Sequence, residues 1–269
     1  MSQRPDLATL RLVATDFDGT LLGHDREISA RTRATLEELA ASHVDFVVIT
    51  GRPPRFCERV LEQTGIPTRL ICANGAIGYD PVNGDVTQFA TLDLAAAFSV
   101  LEDLRAGLPD AGFCAELGEE FAAEHRWFEV AGREPRDAID DLRDHLDERV
   151  HKLLVALPGH SPDEALKRVS DIAGERANPT HAGLSFIELM PPGVDKAFGL
   201  GRLCEASGVT PDQVIAFGDM PNDVAMLEWA GWGVAVGNAH DTAKAAADEV
   251  TETNVDDGVA VVLDALLEC

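Results

Sequence analysis

Apolar and polar residues fall along this chain in blocks. The run Leu10–Ala14 is apolar and β-type, and Asp45–Ile49 and Leu70–Ala73 repeat it with helical patterns between. Runs this short and continuous suit strands buried on both faces of a parallel sheet. Ser29 reads as the N-cap of a helix through about Ala41, with Ala34, Leu36, Leu39 and Ala40 on one side. Pro53 suits the first turn of a helix through about Gln63. The rhythm returns after Pro192: Asp195 can cap a helix through Ala206, Gln213–Phe217 is a strand, a short helix runs through Trp229, and Gly233–Val236 is a strand. Helices near Thr242–Ala247 and Val259–Leu267 close the chain. Strand–helix repetition predicts a parallel sheet with right-handed crossovers.

From about Tyr79 the pattern differs. Strands are expected over Asp85–Ala90, Phe113–Leu117, Glu120–His125, Val150–Leu157, Arg176–Thr180 and Leu184–Leu189. Helices are expected over Leu92–Arg105, Pro135–Leu146 and Ser161–Ala173. This reads as a separate α+β layer, an antiparallel sheet with helices on one face, holding no compact cluster of catalytic residue types. The expected class is therefore α/β: a discontinuous Rossmann-like parallel-sheet core over 1–81 and 190–269, with an α+β domain inserted over 82–189. Turn residues at Tyr79–Pro81 and Pro191–Gly193 would form the two crossings.

Composition narrows the function. Hydrophobic residues make up 45 % of the 269, enough for a sizeable core. No apolar run is long enough to span a membrane. Met1–Asp6 lacks the apolar region of a signal peptide, so a cytoplasmic location is expected. The five cysteines, Cys57, Cys72, Cys114, Cys204 and Cys269, are odd in number and widely spaced, which speaks for structural thiols in a reducing compartment. The net charge of -25 repels nucleic acid and anionic membrane, so neither is an expected partner. It also repels phosphorylated substrates at long range, so a phosphate site needs local cations. Lysine occurs only at 152, 167, 196 and 244.

The candidate chemistry lies at strand ends. Asp16 and Asp18 follow the first strand, Thr50-Gly51-Arg52 the second, Asn74-Gly75 the third, and Asp219, Asn222 and Asp223 the strand ending at Phe217. In an open parallel sheet these ends gather along the carboxyl edge, where ligands bind. Lys196 opens a helix nearby in sequence order. Two carboxylates about 4 Å apart repel by roughly 4 kcal/mol at an effective dielectric of 20, so Asp16 and Asp18 call for a proton or a cation. Carboxylates without imidazole suit a hard divalent cation, and Mg²⁺ prefers few carboxylates plus substrate phosphate.

These motifs resemble the haloacid dehalogenase superfamily, and within it the Cof-type sugar-phosphatase branch (class IIB) with a large C2-type cap. Asp16-Phe17-Asp18-Gly19-Thr20 matches the first family motif, Thr50-Gly51-Arg52 the second, Lys196 the third and Gly218-Asp219-Met220-Pro221-Asn222-Asp223 the fourth. Asn74-Gly75-Ala76 and the stretch from Asn254 to Asp257-Gly258-Val259 extend the likeness over nearly the whole chain. Met220-Pro221 departs from the branch, which usually has an asparagine and a variable residue there; neither position is expected to hold metal. The resemblance implies a Mg²⁺-dependent phosphatase of small phosphorylated metabolites, such as sugar phosphates, working as a monomer or small homo-oligomer. It implies Asp16 as nucleophile, Asp18 as acid and base, and Thr50 and Lys196 on the transferring phosphoryl group. Gly51, Arg52, Asn74 and Asn222 would contact phosphate or substrate. Mg²⁺ would bind Asp16, the Asp18 carbonyl and Asp219, with Asp223 in direct or indirect contact. The alternatives are a phosphomutase with the same first step and, less well matched by DxDGT and the insert, a phosphoacceptor signalling domain. His24, His125, Arg126 and Trp127 read as ordinary surface or core groups, and Trp229 and Trp232 as core.

Overall fold

The computed structural model describes residues 5–66, 68–80 and 83–268. The expectations for Met1–Arg4, for the Pro81 end of the first crossing, for the Cys57 side chain and for Cys269 fall outside that description. In chain order the elements begin with β1 (Leu12–Thr15), α1 (Ala30–Ala40), β2 (Asp45–Ile49), α2 (Cys57–Thr64), β3 (Arg69–Cys72), β4 (Ile77–Asp80) and β5 (Asp85–Gln88). Next come α3 (Leu94–Gly107), β6 (Gly112–Leu117), β7 (Glu120–Ala123), α4 (His125–Val130), β8 (Val150–Ala156), α5 (Pro162–Ala173), β9 (Asn178–Thr180) and β10 (Phe186–Met190). Last are α6 (Lys196–Ser207), β11 (Val214–Gly218), α7 (Val224–Trp229), β12 (Trp232–Ala235), α8 (Asp241–Ala246), β13 (Glu249–Val250) and α9 (Gly258–Leu267).

The chain forms two compact units, Met1–Thr87 with Asp195–Cys269, and Gln88–Val194. Among the described residues the first unit holds an eight-stranded sheet in the order β13-β12-β11-β1-β2-β3-β4-β5. The strands from β13 to β3 are parallel, and β4 returns antiparallel to β3. Strands β1 and β11 are buried along their whole length, as apolar strands covered on both faces must be. The order reverses at β1/β11, so their carboxyl ends flank a crevice of the kind that binds ligands. Helix α1 starts where Ser29 accepts the Thr32 N–H (3.0 Å), and α6 where Asp195 accepts that of Phe198 (2.8 Å).

The first unit runs past the expected division at 81/82 to Thr87, and it resumes only at Asp195 where 190 is expected, so residues 190–194 fall to the second unit. The shift at the first division comes from β4 and β5. The reading has no strand at Ile77–Asp80 and assigns β5 to the insert, yet both extend the main sheet. Ala73 (φ 51°) and Asn74 (φ 49°) reverse the chain tightly enough for β4 to pair with β3.

The second unit is an antiparallel sheet in the order β7-β6-β8-β10-β9. Its alternation divides the strands: Phe113, Ala115, Leu153, Val155 and Ile187 join the core under α3 and α5, while Cys114, Leu154, Ala156 and Phe186 cluster with Trp127 and Phe128 of α4. Helices therefore cover both faces, not one. The second face also carries a buried pair, Lys152 Nζ to Glu188 Oε1 at 2.6 Å, with Glu116 opposite Lys152 in register. That is a charged group the reading did not foresee in apolar strands. The helix expected over Pro135–Leu146 does not form. Ile139 donates its N–H to Ala123 O (2.9 Å) and extends the edge by β7, and Asp141 accepts the Arg143 N–H (2.9 Å) to cap a single 3-10 turn at Leu142–His145. Trp229 and Trp232 are half-buried rather than core. Cys72, Cys114 and Cys204 are buried. No described helix is long and apolar enough to cross a membrane.

Candidate active site

The site is assembled at the β1/β11 reversal, wholly within the first unit. Beyond β1 the chain turns at Gly19 (φ +87°), where a Cβ would stand 2.4 Å from Asp219 Oδ2. Only glycine lets the first motif lie against the carboxylate of the fourth. Gly75 is held as strictly: a Cβ there would come within 1.9 Å of Asp195 O, so the turn after β3 packs on the start of α6 and fixes Lys196.

Lys196 is fully buried, and its ammonium donates to Asp16 Oδ1 and, at 2.6 Å, to Asp223 Oδ1. Asp223 Oδ2 accepts the backbone N–H groups of Asp219 (3.0 Å) and Met220 (2.9 Å), which locks the turn after β11. Asp219 Oδ1 accepts the Thr20 hydroxyl at 2.8 Å, and its carbonyl accepts the His240 N–H at 2.7 Å. Asp16, Asp219 and Asp223 each offer an oxygen within 4.8 Å of the others.

One ammonium among three buried carboxylates leaves excess negative charge, and the acidities reflect it. Burial drives the Asp16 carboxyl well above the usual carboxylate range; Lys196 opposes this, and Asp223, Asp219 and Asp18 add to it. Burial, and then repulsion from Asp223, raises Asp219 from 3.8 to about 7. Burial alone would push Lys196 down, but Asp16 and Asp223 outweigh it and hold it above the ordinary lysine value. A hard divalent cation fits this donor set, made of carboxylate oxygens without imidazole or thiolate and short of positive charge.

A pH effect follows. The unfolded chain loses the Asp219 proton near 3.8, whereas the native state keeps it to about 7. The native state thus binds more protons in that window, so this group's contribution to stability is full at low pH and is lost as pH rises towards 7. In chelator, Asp219→Asn should melt above the unmodified protein at pH 7.5, the gap closing as pH falls towards 4.5. Thermal denaturation of both proteins across that range measures it.

The two carboxylates of the first motif turn to different cations, which lessens but does not remove their repulsion. Asp18 leaves Asp16 to Lys196 and takes Arg52, whose Nε and Nη2 donate to its two oxygens at 2.7 and 2.6 Å. The same guanidinium lies 4.9 Å from the centre of the Phe17 ring. Arg52, expected at the phosphate, is thus engaged by Asp18, and Asp18 is not one of the three clustered carboxylates. Thr50 is buried and its Oγ accepts the Arg52 N–H at 3.1 Å, with Gly51 between them in the turn. Asn74, buried and left-handed, accepts from Asn222 Nδ2 at 3.1 Å. Asn222 Oδ1 is buried with no hydrogen-bond partner among the described residues.

Sequence reasoning gave no role to Thr20, Asn238 or Asn254. Asn238 Nδ2 donates to Gly19 O at 2.8 Å, and Asn254 Nδ2 donates to Leu22 O at 2.6 Å. Asn238 carried a usable signal: it follows an apolar strand, as Asn74 does.

Fold and site together describe an α/β enzyme with an acidic, lysine-anchored centre at a sheet reversal. Comparison with known proteins makes this specific: the chain belongs to the haloacid dehalogenase-like hydrolase family, whose model matches residues 13–263. The Cof-type resemblance read from the motifs is thereby shown, and the chain is an enzyme, a phosphatase of this family. It is 31 % identical over 265 residues to the 5-amino-6-(5-phospho-D-ribitylamino)uracil phosphatase YitU of Bacillus subtilis, covering 93 % of this chain and 94 % of that one. It is 32 % identical over 252 residues to the phosphoglycolate phosphatase of Natronomonas pharaonis, covering 94 % and 96 %. Among solved structures, a haloacid dehalogenase-like hydrolase from Bacteroides thetaiotaomicron superposes with a TM-score of 0.76 at 27 % identity, covering 96 % of this chain and 99 % of that one.

Proposed function

We propose that the enzyme is a Mg²⁺-dependent phosphomonoesterase for small phosphorylated metabolites, working through an aspartyl-phosphate on Asp16. The observation that carries this is the buried Asp16, joined to Lys196 and clustered with Asp219 and Asp223 at the sheet reversal. The named relatives act on esters as different as a phosphorylated ribitylaminouracil and phosphoglycolate, and what these share is a phosphate on a small organic alcohol. The inserted unit is proposed as the cap that governs the choice among such alcohols.

Asp16, Asp219 and the Asp18 carbonyl would hold Mg²⁺, with Asp223 supporting them through Lys196 and the β11 turn. When bound, the ion offsets the surplus negative charge and favours the ionised form of Asp16. An Asp16 oxygen attacks phosphorus as the bond to the substrate oxygen breaks, and the Asp18 carboxyl gives its proton to the leaving alcohol. Lys196 and the Thr50 hydroxyl steady the phosphoryl oxygens as their charge grows. Asn222, tied to Asn74, borders the same space. Asp18 then takes a proton from water, whose oxygen attacks phosphorus, breaks the bond to Asp16 and releases inorganic phosphate. Arg52 holds Asp18 as a carboxylate in the resting site, and must release one of its oxygens for that carboxyl to carry the proton.

Two measurements test this. Exhaustive chelation should remove activity on p-nitrophenyl phosphate, with Mg²⁺ restoring it and Ca²⁺ doing so poorly, because Ca²⁺ takes more ligands at longer distances. Full activity after chelation contradicts the metal assignment. Asp18→Asn should lose about 10²–10⁴-fold in the first step with a sugar phosphate, whose alkoxide needs a proton, and much less with an aryl phosphate. Equal losses contradict the acid role of Asp18.

A further inference from the structure

We infer that Asn238 and Asn254 are positioning residues that act as one clamp on the first-motif loop and so set the metal affinity of the site. The inference rests on reading Asp16 and Asp219 as metal ligands. The loop from Asp16 to Leu22 is tethered at two carbonyls by asparagines from the far end of the chain: Asn238 Nδ2 to Gly19 O at 2.8 Å, and Asn254 Nδ2 to Leu22 O at 2.6 Å. The asparagines are themselves joined, since the Asn254 N–H donates to Asn238 Oδ1 at 2.8 Å. Their two backbone segments lie in close approach: the Gly237 N–H donates to Glu252 O at 2.9 Å, and a Cβ on Gly237 would stand 3.0 Å from Thr253 N.

Both tethered carbonyls bear on the carboxylates. Gly19 lies against the Asp219 carboxylate, and Thr20, next in the chain, donates to Asp219 Oδ1 at 2.8 Å. Leu22 closes the loop, its N–H on Phe17 O at 3.0 Å, between Asp16 and Asp18. With both carbonyls held, the spacing of Asp16 and Asp219 is fixed before a cation arrives. With either released, the loop drifts and the cation must order it on binding. Groups that orient metal ligands without touching the metal typically change affinity or activity 10–100-fold.

The test is Mn²⁺ binding, read from the electron paramagnetic resonance of the free ion, for the unmodified protein, Asn238→Ala, Asn254→Ala, the double variant and Ser29→Ala. The Ser29 hydroxyl bonds to Thr32, capping α1, and to Asp257 in the same C-terminal segment, and neither bond involves the loop, so Ser29→Ala loosens helix and segment and spares the clamp. Each asparagine variant should raise the Mn²⁺ dissociation constant about 10-fold and lower kcat on p-nitrophenyl phosphate with little change in KM. The double variant should fall well short of the product of the two, and Ser29→Ala should bind as the unmodified protein does. Asn238 is exposed, so Asn238→Ala carries the test even where Asn254→Ala fails to fold. Unchanged Mn²⁺ affinity in folded Asn238→Ala, or equal weakening in Ser29→Ala, overturns the clamp. No Mn²⁺ binding by the unmodified protein overturns the metal reading instead.

Discussion

Asp16→Asn should abolish turnover while leaving the protein as stable as before or more so. The nucleophile is lost, and single losses within a catalytic unit cost on the order of 10⁴–10⁶-fold in kcat. Stability moves the other way. Burial and three neighbouring carboxylates hold the Asp16 carboxyl well above its usual range, so its charge opposes folding at neutral pH in the absence of a cation. An asparagine carbonyl still accepts from Lys196, which also keeps Asp223. At pH 7.5 in chelator the variant should therefore melt at or above the temperature of the unmodified protein, and Mg²⁺ should stabilise it less. Calorimetry with and without Mg²⁺, beside steady-state kinetics, reads both effects. A marked fall in melting temperature would mean that the Asp16 charge supports the fold, against the excess of negative charge described here.

Lys196→Met should be costly to both fold and function. Lys196 is fully buried, and the substitution leaves Asp16 and Asp223 without their cation. Removing one partner of a buried ion pair typically destabilises by about 3–5 kcal/mol, because the remaining charge is stranded. Mg²⁺ should return part of that loss, since it offsets the same carboxylates. Activity should remain low with Mg²⁺, by about 10²–10³-fold, the usual effect of losing one group that stabilises transition-state charge. Lys196→Arg should not rescue it: the planar guanidinium cannot take the place of a compact ammonium between two carboxylates. Denaturant unfolding with and without Mg²⁺ measures the stability term. A loss under about 1 kcal/mol, the range of solvated surface pairs, would contradict the stranding of charge on Asp16 and Asp223.

How far the sequence could be read depended on whether the signal was local. Short apolar runs with polar or charged residues at the end made β1, β2, β3, β11 and β12 and their polar tips legible, because a strand buried on both faces admits polar residues only where it leaves the sheet. Ser29 and Asp195 were legible as caps because a cap is made within four residues. Elements settled by distant partners were not. Ile139, Leu142 and Leu146 have helical spacing, but Ile139 bonds to Ala123 instead. Ile77–Asp80 became a strand because two left-handed residues returned it to β3. At the site, the residue types and their gathering at one sheet edge were legible, whereas the pairing was not. Which cation Asp18 would take, and that Asn238 and Asn254 would reach more than 200 positions back to the first motif, depend on tertiary geometry.

The central claim is that Asp16 carries the phosphoryl group. It is tested most directly by rapid-quench labelling of Asp18→Asn with a ³²P-labelled aryl phosphate in Mg²⁺, followed by mapping of the acid-stable label. The first step remains open to this variant and the second, which needs a base for water, is slowed, so label should accumulate in a burst and map to Asp16. Label on any other residue, or release of the aryl alcohol by folded Asp18→Asn with no labelled protein formed, would contradict the account.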